Sequence, residues 1–327
     1  MLNLYYYSGT IRSRVKTVDI VLPCYNECES LPKFFSEYIL LRNRMRKKYS
    51  IKLIIVDNGS TDETYKVAKL FALKNRNIRC ISLSRNFGKE ASLTAGLDAS
   101  NSDACIPMDC DLQDPMEAVD LLLEAWTDDV DVVLARREFY KNRFTWRRIF
   151  SKIYSFVFNS LSDTPMTNSV GEFRLMDRKV VEAFAKMPES ERFVRGLFSW
   201  MGFKSVEISY PRANREVGRS KYNFNKLLGL GIHGLTSFSI KPLRIATFFG
   251  ILGSVGTFAY AAILLYLAFS NEISIPGYAS TLVSILLLGS IQLLTIGILG
   301  EYVGKTLLEA KRRPVYIIRE IFEKNGK

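Results

Sequence analysis

The chain has 327 residues, 48% hydrophobic and 24% charged, with 45 Lys and Arg against 33 Asp and Glu and a formal net charge of +12. It is too apolar for an intrinsically disordered chain and long enough for one α/β domain plus a further unit. The basic excess fits an anionic membrane surface or phosphate ligands; no nucleic-acid motif accompanies it, so no nucleic-acid partner is expected.

Residues 1–17 have no signal-peptide core and read as a flexible lead-in. Val18–Leu22 is a short β-rich run closed by Pro23, and a helical pattern follows from Asn26, a good N-cap. Ile51–Val56 is a second apolar strand ending in Asp57-Asn58-Gly59-Ser60, where Ser60 and Glu63 have capping-box spacing for the next helix. Ile78–Leu83, Ala104–Met108 and Val130–Ala135 are further strands, alternating with helices at Ala91–Ala99 and Met116–Trp126. This alternation predicts an α/β fold, a mostly parallel sheet with helices on both faces. Cys24, Cys28, Cys80, Cys105 and Cys110 contain no Cys-x-x-Cys pair, so neither a zinc site nor a disulfide framework is expected.

Polar clusters at 24–27, 57–60, 84–89 and 109–113 each follow a strand directly. Ligands of open α/β sheets bind beyond the carboxyl ends of the strands. One such cluster is ordinary turn chemistry, but four predict a shared site. The sharpest is Ile106-Pro-Met-Asp-Cys-Asp-Leu-Gln-Asp-Pro115. Asp109 and Asp111 fall on one side as the strand runs out into a loop, and their oxygens suit Mg2+ or Mn2+. A solvated turn with Asp114 and Pro115 opening a helix is the competing reading of the same residues.

Residues 144–161 mix Trp146, Phe150, Tyr154 and Phe158 with Arg147, Arg148 and Lys152. That pattern fits an interfacial helix lying on a bilayer, with a core helix or an oligomer contact as the alternative. Residues 227–238 read as a second such element. The single His233 lies in this stretch rather than at a strand end, so no His-centred general base is on offer. Ile245–Phe269 and Tyr278–Leu299 carry no charged residue. At about 1.5 Å per residue each is long enough for a hydrocarbon core about 30 Å thick. They predict a transmembrane hairpin over 241–304 and a basic cytoplasmic tail over 305–327. Lys221, Lys226, Lys241 and Arg244 precede the hairpin, and Lys305, Lys311, Arg312 and Arg313 follow its second span. The intervening loop has no Lys or Arg, which places both flanks in the cytoplasm. Glycines 250, 253 and 256, and 297, 300 and 304, leave small faces for helix packing and for a homo-oligomer.

Leu22-Pro-Cys-Tyr-Asn-Glu27, Val56-Asp-Asn-Gly-Ser60 and Met108-Asp-Cys-Asp-Leu-Gln-Asp-Pro115 resemble family 2 glycosyltransferases. Arg85-Asn-Phe-Gly-Lys-Glu90, Val170-Gly-Glu-Phe-Arg-Leu175, Gly218-Arg-Ser-Lys221, Thr236-Ser-Phe-Ser239 and the hairpin are similar to the polyprenyl-phosphate subgroup. Within that subgroup the chain resembles bactoprenol glucosyltransferases and, more distantly, dolichol-phosphate mannose synthase. The resemblance runs from about Val18 to the end and departs at Asn58 and Glu172, where the family has Asp or a similar residue and Asp, respectively.

The resemblance implies a GT-A type, Rossmann-like catalytic domain over 18–240. It assigns donor binding to Pro23, Tyr25, Glu27, Asp57, Lys89 and Asp109. Metal binding falls to Asp109, Asp111 and Gln113, for Mg2+ or Mn2+. Acceptor-phosphate binding falls to Arg136, Arg137, Arg174, Arg219 and Lys221, and Asp109, Asp111 and Arg136 form the catalytic set. Tyr25 offers a flat face to a base, or packs on the first helix; Lys89 adds a charge near the diphosphate, or is a solvated surface lysine. The implied reaction is inverting, metal-dependent transfer of glucose from UDP-glucose to undecaprenyl phosphate, whose dianionic phosphate needs no general base. The implied setting is a bacterial inner membrane, multi-pass, with the catalytic domain cytoplasmic and with a separate flippase and downstream glycosyltransferase as partners. Competing readings are transfer of mannose, GlcNAc or a modified pentose, a processive polysaccharide synthase and a non-catalytic scaffold. The synthase reading lacks its Gln-x-x-Arg-Trp signature.

Overall fold

A computed structural model of the chain describes residues 15–138, 170–190, 192, 194–211, 241–269 and 277–324. The helical elements expected at 144–161 and 227–238 lie outside these residues, as do Arg219 and Lys221.

The apolar runs become strands β1 (Lys16–Cys24), β2 (Tyr49–Asp57), β3 (Ile78–Leu83) and β4 (Ala104–Pro107), followed by β5 (Val132–Glu138), β6 (Val170–Asp177), β7 (Ser205–Pro211) and β8 (Ile318–Glu323). They form one eight-stranded sheet in the order β7-β5-β6-β4-β1-β2-β3-β8. β1 pairs in parallel with β2 and β4, β2 with β3, and β5 with β7. β6 is antiparallel to β4 and β5, and β8 to β3.

Burial on both faces explains why the central strands read as continuous apolar runs rather than alternating ones. Val18, Ile20 and Leu22 of β1 and Ile51, Leu53 and Ile55 of β2 enter a core with α1 (Leu31–Met45), α2 (Thr64–Lys74) and α4 (Met116–Ala125). The alternate residues Val21, Ile54 and Val56 enter a second core with α3 (Lys89–Asp98), α5 (Arg178–Ala185) and α6 (Val194–Trp200).

The helix starts differ from expectation. α1 begins at Leu31, not next to Asn26, and neither α1 nor α2 has a side-chain cap. The capping groups are spent between loops instead. Asn26, with φ of 54°, donates its N–H to Ser60 Oγ at 3.0 Å, and its Oδ1 accepts from Thr61 N at 2.9 Å. The loops after β1 and β2 thereby brace each other.

The tail expected over 305–327 is largely structured. Two long helices, α7 (Lys241–Phe269) and α8 (Tyr278–Ala310), pack together, and the chain then returns to the sheet as β8. Lys69 pairs with Glu320 at 2.6 Å and Arg79 with Glu323 at 2.8 Å, covering the β3 edge. Three charged residues among only six positions, with no apolar run and no strict alternation, hid this strand in the sequence.

Large side chains on the two helices stand in the open: Phe258 is 77% exposed, Tyr266 72% and Leu293 73%. Such a surface is unfavourable in water. Leu287–Ala310, 24 residues containing an 18-residue stretch of mean hydropathy 1.4, is long and apolar enough to cross a membrane, whereas Ala246–Tyr260 is a shorter apolar helix. The described residues therefore support one crossing helix, where two were expected.

Gly96 of α3 packs so closely on β1 that an added Cβ would lie 2.3 Å from Val21 Cγ1. Gly96→Ala gains about 1 kcal/mol of helix propensity but overpacks a fully buried strand, which costs about 1–3 kcal/mol. Thermal unfolding in detergent is expected to show a lower Tm, and an unchanged or higher Tm would contradict this packing. Truncation after Arg313 uncovers the β3 edge and is expected to lower Tm and promote aggregation in light scattering.

Candidate active site

Because β1 to β5 run in one direction, their carboxyl ends share one edge of the sheet. β6 runs the opposite way and delivers its first residues, Val170 to Glu172, to that same edge. The result is a charged cluster drawn from three elements. Lys89, the first residue of α3, places Nζ 2.6 Å from Asp109 Oδ1 and 2.6 Å from Glu172 Oε2. Desolvation raises the Asp109 pKa above the ordinary carboxylate value; Lys89 opposes that rise, and Glu172 and Asp111 add to it. Burial alone would lower the Lys89 pKa, but the two carboxylates outweigh it and raise it. Lys89, its side chain 43% exposed, is thus paired with both carboxylates. Glu172, which the sequence reading left out of the site, lies within it.

The loop after β4 is anchored on several sides. Met108 N donates to Val21 O at 2.9 Å, Cys110 Sγ lies 2.9 Å from Cys24 Sγ, and Tyr210 Oη donates to the buried Asp114. All five cysteines are free, and Cys110 packs the loop onto β1. Leu112 takes a left-handed φ of 52°, which turns Gln113 back on Asp111. The Gln113 backbone N–H donates to Asp111 Oδ1 at 3.2 Å and its Nε2 to Oδ2 at 2.6 Å. Gln113, expected as a metal ligand, donates both of these hydrogen bonds to Asp111.

At the carboxyl end of β1 Pro23 is half-buried and Tyr25 is 40% exposed. Glu27 donates its N–H to Thr64 Oγ1 at 2.9 Å, and its Oε2 accepts from Ser30 Oγ at 2.8 Å. Asp57, expected in donor binding, is a buried carboxylate. It is 1% exposed, with Oδ1 accepting from Ser60 N at 3.1 Å and Oδ2 from Ser82 Oγ at 3.0 Å. Its carboxylate is engaged in shaping the β2–α2 turn rather than open to a base. Asn58 donates from Nδ2 to Asn86 Oδ1 at 3.1 Å and accepts at Oδ1 from Phe87 N at 3.0 Å. An ionised Asp here would only accept and could not make the Nδ2 donation, so the amide of Asn58 suits both contacts. Gly59 (φ +67°) completes the turn; a Cβ there would lie 2.5 Å from the Arg85 backbone.

Of the acceptor candidates, Arg136 lies two residues before the end of β5, its side chain 54% exposed and Nη1 3.8 Å from Glu207 Oε2. Arg137 follows it in β5, its side chain outside the described residues. Arg174 is 5% exposed, its Nη2 donating to Gly171 O at 2.8 Å and its guanidinium 4.9 Å from the Phe198 ring centroid. Arg174, expected at the acceptor phosphate, thus supports the start of β6.

Among the described residues no group of three or more His, Cys, Asp or Glu could hold a metal ion. Asp109 and Asp111 still fit a hard cation, because Mg2+ is commonly held by one or two carboxylates together with substrate phosphates. The Asp109–Glu172 pair already draws a positive charge to itself in the form of Lys89.

Residues 19–184, which span this whole edge, match the family described as Glycosyl transferase family 2. Over 306 residues the chain is 40% identical to a prophage bactoprenol glucosyl transferase homolog of Escherichia coli K12, covering 93% of this chain and 99% of that protein. It is 39% identical over 304 residues to a bactoprenol glucosyl transferase of Shigella phage SfV, covering 92% and 98%. It is 38% identical over 306 residues to an uncharacterized glycosyltransferase of Synechocystis, covering 93% and 95%. Among solved structures, a mannosyltransferase from Pyrobaculum calidifontis in complex with GDP-Man and Mn2+ is similar with a TM-score of 0.49 at 14% identity, covering 89% and 88%. With the charged edge inside the matched span and relatives alike over nearly their full length, the chain belongs to glycosyl transferase family 2, and its sheet is the GT-A catalytic domain of that family.

Proposed function

We propose that this glycosyltransferase moves glucose from UDP-glucose to a polyprenyl phosphate, undecaprenyl phosphate, with inversion, at the cytoplasmic face of a bacterial inner membrane. The observation that carries this reading is the Lys89–Asp109–Glu172 cluster on a sheet whose chain leaves through α7 and returns through α8. A soluble nucleotide-sugar site is thereby joined to a surface of exposed apolar helices. The names of the near-full-length relatives supply the lipid and the sugar.

Both ends of the α7–α8 pair connect to one sheet, so a double crossing would keep the catalytic domain on a single side. The Lys and Arg flanks assign that side to the cytoplasm. When bound, Mg2+ or Mn2+ would neutralise charge on the departing nucleoside diphosphate. Asp109 and Asp111 would hold the cation, Gln113 would keep Asp111 oriented, and Lys89 would add a positive charge beside the same diphosphate. Tyr25 would lie against the base. The acceptor phosphate is already largely dianionic at neutral pH, so it needs positioning and desolvation rather than deprotonation. Arg136, with Arg137, Arg219 and Lys221, would receive it. The product would remain on the cytoplasmic side, so a separate flippase and a downstream glycosyltransferase would complete the glycan. A homo-oligomer would form through the small-residue faces of the helix pair.

The decisive assay incubates purified full-length protein with Mn2+, undecaprenyl phosphate and a panel of nucleotide sugars, and identifies the glycolipid by mass spectrometry. A glucosyl lipid from UDP-glucose is expected; transfer from a GDP-sugar alone, or to water alone, contradicts the reading. Asp109→Ala and Asp111→Ala are each expected to lower kcat/KM on the order of 10³-fold, through loss of several kcal/mol of charge stabilisation. EDTA should abolish turnover and added Mg2+ or Mn2+ restore it. Lys89→Met should cost on the order of 10²-fold with Lys89→Arg recovering part of the loss; equal activity of wild type and Lys89→Met would remove Lys89 from the mechanism.

A further inference from the structure

A cavity of about 800 Å3 opens where α8 ends, well separated in sequence from the strand-edge site, between the segment after α5 and the turn leading to β8. Its wall includes Glu189, Ser190, Arg192, Glu309, Arg312 and Arg313. The two sides are already joined, since Ser190 N donates to both Glu309 oxygens at 3.1 and 3.0 Å. Arg192 is held in place by donating from Nε to Glu189 O and from Nη2 to Met187 O, with its guanidinium 4.9 Å from the Phe184 ring centroid.

Two groups on this wall are shielded from solvent and lack a hydrogen-bond partner: a donor, Arg192 Nη1, and an acceptor, Glu189 Oε2. Each unmatched buried polar group costs about 1–3 kcal/mol, so both side chains stand to gain by turning into the cavity toward a ligand that brings an acceptor and a donor together. The surrounding charge favours an anion, with Arg192, Arg312 and Arg313 against Glu189 and a Glu309 already occupied by Ser190. The location adds a second constraint. The apolar stretch Leu287–Ala310 of α8 ends beside the cavity, with Leu307 55% exposed one turn earlier.

We propose that this cavity seats the headgroup of a membrane phospholipid, with its phosphodiester against the arginines and a hydrogen-bond-donating terminus, ammonium or hydroxyl, against Glu189. The site would fasten the returning chain to the bilayer between α8 and β8. It rests on the membrane reading of α8 given above. A phosphate without a donor terminus satisfies only half of the site, and a choline headgroup, whose quaternary nitrogen has no N–H, does the same.

Full-length protein in neutral detergent is titrated with dihexanoyl phosphatidylglycerol, phosphatidylethanolamine or phosphatidylcholine, or with inorganic phosphate, and thermal unfolding is followed. The glycerol and ethanolamine lipids are expected to raise Tm saturably, and choline lipid and inorganic phosphate much less. Arg313→Gln should raise the half-saturating concentration about tenfold, the loss of one charge-assisted hydrogen bond. Glu189→Gln should erase the preference over choline lipid. These two side chains are chosen because Arg192 also supports the backbone around it, and lipid-free melting of each variant reports its folding. Equal shifts from all three lipids, unchanged saturation in both variants, or saturation by undecaprenyl phosphate in preference to the diacyl lipids would overturn the proposal. Flotation with phosphatidylcholine vesicles separates the two claims. Protein that stays in the soluble fraction defeats the membrane reading, and protein that floats without headgroup preference defeats the headgroup site alone.

Discussion

The ammonium of Lys89, 2.6 Å from both Asp109 and Glu172, is the contact on which the catalytic edge depends. Unit charges about 4 Å apart interact by about 4 kcal/mol at an effective dielectric near 20, so two carboxylates gathered at this spacing with no cation between them repel on that scale. Lysine suits the task because its charge sits on a flexible stem and can be shared between partners. Its position is set upstream. Gly88, at φ +96°, opens α3, Asn86 and Phe87 are held by Asn58, and Gly59 lets the Arg85 backbone come close. The turn after β2 therefore decides where the positive charge beside β4 will stand. The four strand-end clusters expected to share one site are also tied to one another, as Asn26 to Ser60 and Asn58 to Asn86.

The second organising constraint is topological. A sheet with an open edge at β3 invites pairing with another chain, and here that edge is closed by the segment that follows the two apolar helices. Catalytic domain and helix pair are thus not beads joined by one linker, since the chain is secured to the sheet both before α7 and after α8. Such a double attachment limits how far the strand edge can stray from the helices. That suits a reaction in which one substrate diffuses in water and the other remains in lipid.

Much of this was legible in the residues. Continuous apolar runs fixed β1 to β4 because those strands are buried on both faces, and the alternation with helices gave the parallel sheet. The Asp109-Cys-Asp111 spacing marked the site because a strand end turns two like side chains to one side. What stayed hidden depended on contacts distant in sequence. Glu172 comes from a reversed strand 61 residues beyond Asp111, so no local pattern joins it to Lys89. Asp57 and Arg174 have the right chemistry for ligand contact, yet their partners Ser60, Ser82 and Phe198 turn them to structural tasks. β8 was hidden because it is a short edge strand in which half the residues are charged, a composition shared with a solvated tail. The amide of Gln113 reads as a ligand in sequence and acts as a donor in space, since its orientation follows from the left-handed Leu112.

The central claim is that the Asp109–Asp111 edge recognises a diphosphate through a divalent cation. Isothermal titration calorimetry of UDP into full-length protein, with and without Mn2+, tests it most directly. The account predicts saturable binding that depends on Mn2+ and weakens sharply when the metal is chelated. UDP binding of equal strength in the presence and absence of the metal would contradict it.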